Sequence, residues 1–329
     1  MTDLSCSVCE NSSGNSRFTA REMMFGRRDE FLYMECGQCG CVALQDVPRD
    51  LSSYYPADYY SQQPTLYPRS GLRHFIRRQR ALYCLHGKNP LGWLVTKRYG
   101  RPAADIFGSP DYYKWLKTCG VALTSRIADV GCGAGSLLYR LHDDGFTDLT
   151  GIDPFVDKTQ QIAQGFRILK QDIYSVDERF DLVMLHHTFE HMPEPARALR
   201  HLYTLLNPRC FLLIRIPVAS SFAFRKYRQH WAQLDAPRHL LLHTLASMKM
   251  LAQQSGFLFQ DVVFDSSDFQ FWASEQYARD IPLKDKRSYN VNPAESVFSK
   301  EDIVGYQTAA DQLNRDQDGD SACFYFYKP

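Results

Sequence analysis

No apolar run in this 329-residue chain approaches the roughly 20 residues that a membrane-spanning helix needs. Charge of one sign is also missing: 38 Lys and Arg stand against 37 Asp and Glu, a net +1. That balance argues against a strongly basic nucleic-acid binder while leaving room for a local basic patch. Residues 1–16 lack the basic and apolar pattern of a secretory leader, and no internal repeat or low-complexity tract is visible. The expectation is a cytoplasmic protein with no transmembrane segment. Its length suits one good-sized core plus an accessory module; no oligomeric state is read from it.

Cysteine is not scarce. Of ten, four fall in two C-x-x-C pairs, Cys6/Cys9 and Cys36/Cys39. In a reducing compartment such pairs favour metal binding over disulfides. Each tight knuckle can aim two thiolates at one tetrahedral Zn2+, and two knuckles complete the shell. The 26 residues between the knuckles, 10–35, exceed the usual run of about 15–20. Phe31–Glu35 alternates like a strand and Val42–Leu44 like its return, so residues 1–46 read as a small zinc ribbon, with Cys41 as a spare thiol or substitute ligand. Residues 47–108 read as a connector rich in Tyr and Pro (Tyr54, Tyr55, Pro56, Tyr59, Tyr60, Pro64, Pro68), followed by a helix over 71–86. Arg73, Arg77, Arg78 and Arg80 give that helix a basic face, normally a solvated one.

From about residue 109 the pattern becomes an alternating βα array. A helix is expected over 111–119. Strands are expected at 126–131, 148–153, 166–173, 180–185, 210–217, 257–264 and 322–327, with helices to about 144, over 194–206 and over 244–255. The predicted fold class is α/β: a Rossmann-like, seven-stranded, doubly wound sheet over 109–329. Insertions are expected at 218–243 and 266–321, the latter helical near 271–280 and 300–314.

The first strand runs into Asp129-Val-Gly131-Cys-Gly133-Ala-Gly135, a glycine turn opening a helix. A dinucleotide fingerprint would need Gly at 136, which is Ser. A carboxylate ahead of the glycines suits a ligand with a cationic end better than a pyrophosphate. Cys132 fills a place in the turn that needs a small side chain. In open α/β sheets ligands bind at the carboxyl ends of the strands. Asp129, Asp153, Asp172 and the loop after the fourth strand all lie there. Asp153 can accept two ribose hydroxyls, Asp172 with Ile173 can hold an adenine, and Asp129 suits an ammonium directly or through water.

The turn, Gly151-Ile-Asp153 and Phe189-Glu190-His191-Met-Pro-Glu-Pro195 together resemble the class I S-adenosylmethionine (SAM) dependent methyltransferases, over about 110–265 and the last strand. The post-strand-four segment is similar to that of ubiquinone-type and sugar-modifying members. The knuckles, the Tyr-Tyr-Pro connector and Pro237-Arg-His-Leu240 are similar to bacterial members associated with surface polysaccharide or secondary metabolites. The resemblance implies SAM as cofactor, with Asp129, Gly131, Gly133, Gly135, Asp153, Asp172, Ile173 and His187 as its contacts.

Methyl transfer to a hydroxyl or acidic carbon calls for a base, and histidine has the right pKa. His239 and His191 are the candidates. Trp231, Arg238 and His243 are expected to touch the acceptor, since residues 222–243 interleave aromatic, basic and histidine side chains where this fold commonly overhangs that site. The expected activity is methyl transfer to a hydroxyl or amine of a small or glycan-like acceptor, a nucleotide sugar or surface-polysaccharide unit first. Two rivals are a ribosomal RNA methyltransferase touching RNA through the ribbon, and a non-catalytic SAM-binding or partner-binding protein.

Overall fold

The computed structural model describes residues 5–55, 71–99 and 112–329. Residues 56–70, which hold most of the Tyr/Pro connector, lie outside the described residues. The chain begins with β1 (Ser16–Arg21), β2 (Glu30–Glu35) and β3 (Val42–Leu44), an antiparallel meander. Helices α1 (Gly71–His86), α2 (Pro90–Tyr99) and α3 (Tyr112–Thr118) follow. Then come β4 (Arg126–Val130), α4 (Ser136–Asp144), β5 (Asp148–Ile152), β6 (Gln160–Ala163), β7 (Phe166–Leu169) and β8 (Phe180–His186). The chain continues through α5 (Pro195–Leu205), β9 (Leu206–Pro217), α6 (Phe222–Tyr227), β10 (Leu241–Leu242) and α7 (Leu245–Gln254). It ends with β11 (Leu258–Phe264), α8 (Phe269–Ala278), α9 (Lys300–Arg315) and β12 (Ser321–Tyr327).

The main sheet has the order β11-β12-β9-β8-β4-β5-β7-β6. β4 pairs parallel to β5 and β8, β7 to β5, and β9 to β8, while β12 runs antiparallel between β9 and β11. The seven expected strands are all present. An eighth, β6, pairs antiparallel with the edge of β7, and β7 itself is shorter than expected because the chain turns at Asp172. Both faces of the sheet are covered at its central strands, so Ile127–Val130 and Leu182–Leu185 are buried. Along β8, Leu182 and Met184 join the cluster under α1, α3 and α4, while Val183 and Leu185 join the one under α5 and α7. This is the period-two alternation of a doubly wound sheet.

Helix α1 forms over the expected residues, but its basic face is not wholly solvated. Arg77 pairs with Asp144 at 2.9 Å, and the same carboxylate accepts from Tyr112 and, at 2.8 Å, from Tyr113. No helix among the described residues is long and apolar enough to cross a membrane.

β10, at the end of the stretch 218–243, leaves the main sheet and adds to β3 as the fourth strand of the small sheet, with Leu241 opposite Ala43 and Leu242 opposite Val42. The N-terminal module is thereby joined to the α/β domain. Thr244, which caps α7, also donates to the Cys39 carbonyl at 2.6 Å.

Candidate active site and thiol cluster

The glycine turn sits between the ends of β4 and β5. Gly131 has φ +72°, and a Cβ there would lie 2.3 Å from Thr188 Oγ1 in the loop after β8. Gly135 has φ +81°, and a Cβ would meet Ile168 Cδ1 at 2.7 Å. Only glycine satisfies both the left-handed backbone and the close approach. Asp153, at the end of β5, accepts the Gly133 and Phe155 amides, each at 2.8 Å. These bonds fix the carboxylate against the turn, and each oxygen keeps a lone pair for a further donor. Asp129 is buried beside it. Burial first, and the Asp153 charge second, push its carboxyl up to about 8. An isolated acid in this seat holds its proton at neutral pH; a bound cation would let it ionise.

Asp172 lies exposed after β7 and accepts the Tyr174 amide at 2.9 Å. Ile173 is turned into the core, and its carbonyl accepts from His201.

A second group forms where the loop after β8 meets residues 238–240. The Leu240 amide donates to the Glu190 carbonyl at 2.9 Å, and His191 Nδ1 lies 2.7 Å from the Arg238 carbonyl. His239 Nδ1 lies 2.7 Å from the Gln233 carbonyl. Facing a carbonyl, each Nδ1 carries the proton, so the lone pair of the neutral ring is on Nε2. Burial first, then the neighbouring His191, depresses the pKa of His239 and keeps it neutral. His187, in the left-handed region at φ +51°, is held by Arg215, which donates to its Nε2 at 2.6 Å and pairs with Asp265 at 2.7 Å.

The expected acceptor contacts sit differently. Trp231 is 1% exposed and donates from Nε1 to Asp320. Arg238 is 0% exposed; it binds Asp235 and Glu22 and donates to the Tyr54 carbonyl. His243 is buried against Phe189, and burial depresses its pKa to about 4. These aromatic and basic side chains are here turned inward, toward Asp320, toward Glu22 and Asp235, and toward Phe189 respectively. Glu22 was not visible as a partner in sequence: it is buried and also accepts amides of residues 24, 25 and 27.

The two knuckles converge. Ligand atoms of Cys6, Cys9, Cys36 and Cys39 lie within 4.8 Å of one another, with Cys6–Cys39 at 3.6 Å and Cys9–Cys36 at 3.5 Å. Tetrahedral Zn–S bonds of about 2.3 Å set sulfurs roughly 3.8 Å apart, so the donor set suits one such ion. Amides of Val8, Gln38 and Cys39 point at these sulfurs, as expected around thiolates. Cys41 Sγ also approaches, 3.3 Å from Cys6 and Cys39.

The strand order, the antiparallel β12 and a glycine turn with acidic residues at the ends of β4 and β5 define the class I methyltransferase fold. Residues 101–260 match the family described as a methyltransferase domain. Over that span the chain is thus similar to the methyltransferase domains of this class. Curated relatives include a ubiquinone biosynthesis O-methyltransferase of Pseudomonas entomophila, 29% identical over 35% of this chain and 53% of that protein. The corresponding Aeromonas salmonicida protein is 29% identical over 38% and 48%. The chain thus spans about half the length of these relatives. Among solved structures, a SAM-dependent methyltransferase from Archaeoglobus fulgidus aligns with TM-score 0.41 at 21% identity, over 66% of this chain and 91% of that one.

Proposed function

We propose that the protein transfers the methyl group of SAM to a hydroxyl or amine of a small or glycan-like acceptor, a nucleotide sugar or surface-polysaccharide unit first. The observation that carries this reading is the pairing of two polar groups at the carboxyl ends of neighbouring strands. One is a seat with a carboxylate for an ammonium (Asp129) and another for ribose hydroxyls (Asp153). The other is a histidine cluster linked to it through Thr188 and the loop after β8. Asp172 is assigned to the adenine end, with Ile173 turned into the core behind it, and His187 to the cofactor from the loop. The sulfonium is already activated, so the protein's work is in-line placement of the acceptor and removal of its proton. His239 and His191 are the bases, each with a backbone carbonyl fixing Nδ1–H and Nε2 left to accept.

Cys6, Cys9, Cys36 and Cys39 hold a structural Zn2+ that stabilises a module too small to fold on its own core. The relatives' names support O-methylation as the first acceptor chemistry to try. The test is release of S-adenosylhomocysteine from SAM by purified protein, given a cell extract split by ultrafiltration. Activity with the low-mass filtrate supports the reading. Activity confined to the retained fraction and abolished by ribonuclease makes RNA the substrate and overturns it. SAM binding with no turnover in either fraction supports a binding protein instead.

A further inference from the structure

Glu190 is 0% exposed, and among the described residues neither of its carboxylate oxygens has a hydrogen-bond donor. A fully buried carboxylate ordinarily faces a cation or a set of donors. Among the described residues, the imidazoles nearest its oxygens miss hydrogen-bond geometry: His187 Nδ1 at 3.4 Å and His239 Nε2 at 3.8 Å. One carboxylate oxygen of Glu190 and one ring nitrogen each of His191 and His239 lie within 4.8 Å of one another. Both histidines present Nδ1 to a backbone carbonyl, which leaves the Nε2 lone pair to bind; His239 Nε2 also lies 3.9 Å from Asp235 Oδ2. A second group fixing the far ring nitrogen is the usual support of a metal-binding histidine. The three residues come from two segments zipped by the Leu240–Glu190 backbone bond, so their spacing is set by the fold and not by one flexible loop.

We propose that Glu190, His191 and His239 form a second metal site, separate from the thiol cluster, that takes a divalent transition-metal ion. Two imidazoles and one carboxylate suit zinc with an open fourth position, or a six-coordinate ion with three open positions. Glu190 and His239 are buried and His191 is half-buried, so the open side is at His191. The consequence for chemistry, unlike the site itself, rests on the methyl-transfer reading. A hydroxyl acceptor bound at the open position gives up its proton to solvent more readily. Its oxygen then forms the bond to the methyl carbon as the carbon–sulfur electrons return to sulfur, leaving S-adenosylhomocysteine. With the ion seated, His191 and His239 act on the acceptor as ligands of the metal, in place of the direct base role proposed above.

The test counts metal in the full-length protein, with Co2+ as the probe. Total bound metal after saturation with Co2+ and removal of the free ion is expected to be two ions per chain. The added Co2+ is expected to show visible bands without the thiolate charge-transfer absorption of a cysteine site. Glu190→Gln and His239→Gln are each expected to weaken this Co2+ at least about 100-fold, beyond the roughly tenfold to 100-fold typical of losing a supporting group. The cysteine-bound ion stays. One ion per chain in the wild type, or a second ion with thiolate bands, overturns the proposal, and this holds even if the buried variants fail to fold. Retention of the second ion in a folded His191→Gln protein overturns it as well. Because the count needs no turnover, a protein that binds two ions but methylates nothing refutes only the methyl-transfer reading.

Discussion

Cofactor binding should move protons, and in opposite directions on either side of about pH 8. The Asp129 carboxyl is pushed up to about 8, because it is buried and lies near the Asp153 charge. The α-amino group of an amino acid titrates near 7.7–8.0 in water, so both partners of the proposed pair are about half-ionised in the same range. At pH 7, Asp129 carries about 0.9 of a proton and the free amine a similar fraction. A carboxylate–ammonium pair holds one proton in total, so binding releases roughly 0.8 of a proton at pH 7. At pH 9 the two free groups together hold only about 0.15, and binding takes up roughly 0.85. Titration calorimetry with S-adenosylhomocysteine in buffers of different ionisation enthalpy reads this number directly. Asp129→Asn is expected to remove the release at pH 7 and, because no carboxylate then holds the amine protonated, most of the uptake at pH 9. A buffer-independent enthalpy at both pH values in the wild type would refute the pairing. For the apo protein the sign runs the other way. The raised Asp129 pKa favours folding below about 4, and that contribution is lost as pH rises through 8.

Gly131→Ala forces a side chain into a left-handed residue and against Thr188. It is expected to destabilise the protein by at least about 2 kcal/mol and to weaken S-adenosylhomocysteine binding, read by denaturant melts and calorimetry. Arg238→Met leaves Glu22 and Asp235 buried and unpaired, and its expected cost is about 3–5 kcal/mol of stability; an unchanged denaturant midpoint would show that the pair does not join the ribbon to the domain. Purified protein is expected to carry zinc that a strong chelator removes with a fall in melting temperature, and Cys36→Ser should lose it; a chelator-insensitive melt counts against the structural role. His239→Gln is expected to lower kcat at least about 100-fold while S-adenosylhomocysteine still binds, so a loss confined to KM would place His239 outside the chemistry.

Local chemistry alone determined much of this protein. A buried parallel strand is apolar on both faces, so Leu182–Leu185 is legible without a partner. A sharp turn with close backbone approach requires glycine, so Gly131 and Gly135 mark the turn after β4. Two thiols on each tight knuckle announce a shared thiol cluster before the knuckles are seen together. What sequence could not decide is which long-range neighbour a polar side chain meets. Trp231, Arg238 and His243 read as acceptor contacts by type and spacing, yet Asp320, Glu22 and Phe189 turn them inward, from positions 89, 216 and 54 residues away along the chain. Likewise the edge strand β6 and the pairing of β10 with β3 depend on register between distant segments. Period and composition set the elements because each follows from its own neighbours in sequence. The cluster of Glu190, His191 and His239 exists only once the fold brings residues 190 and 240 into contact.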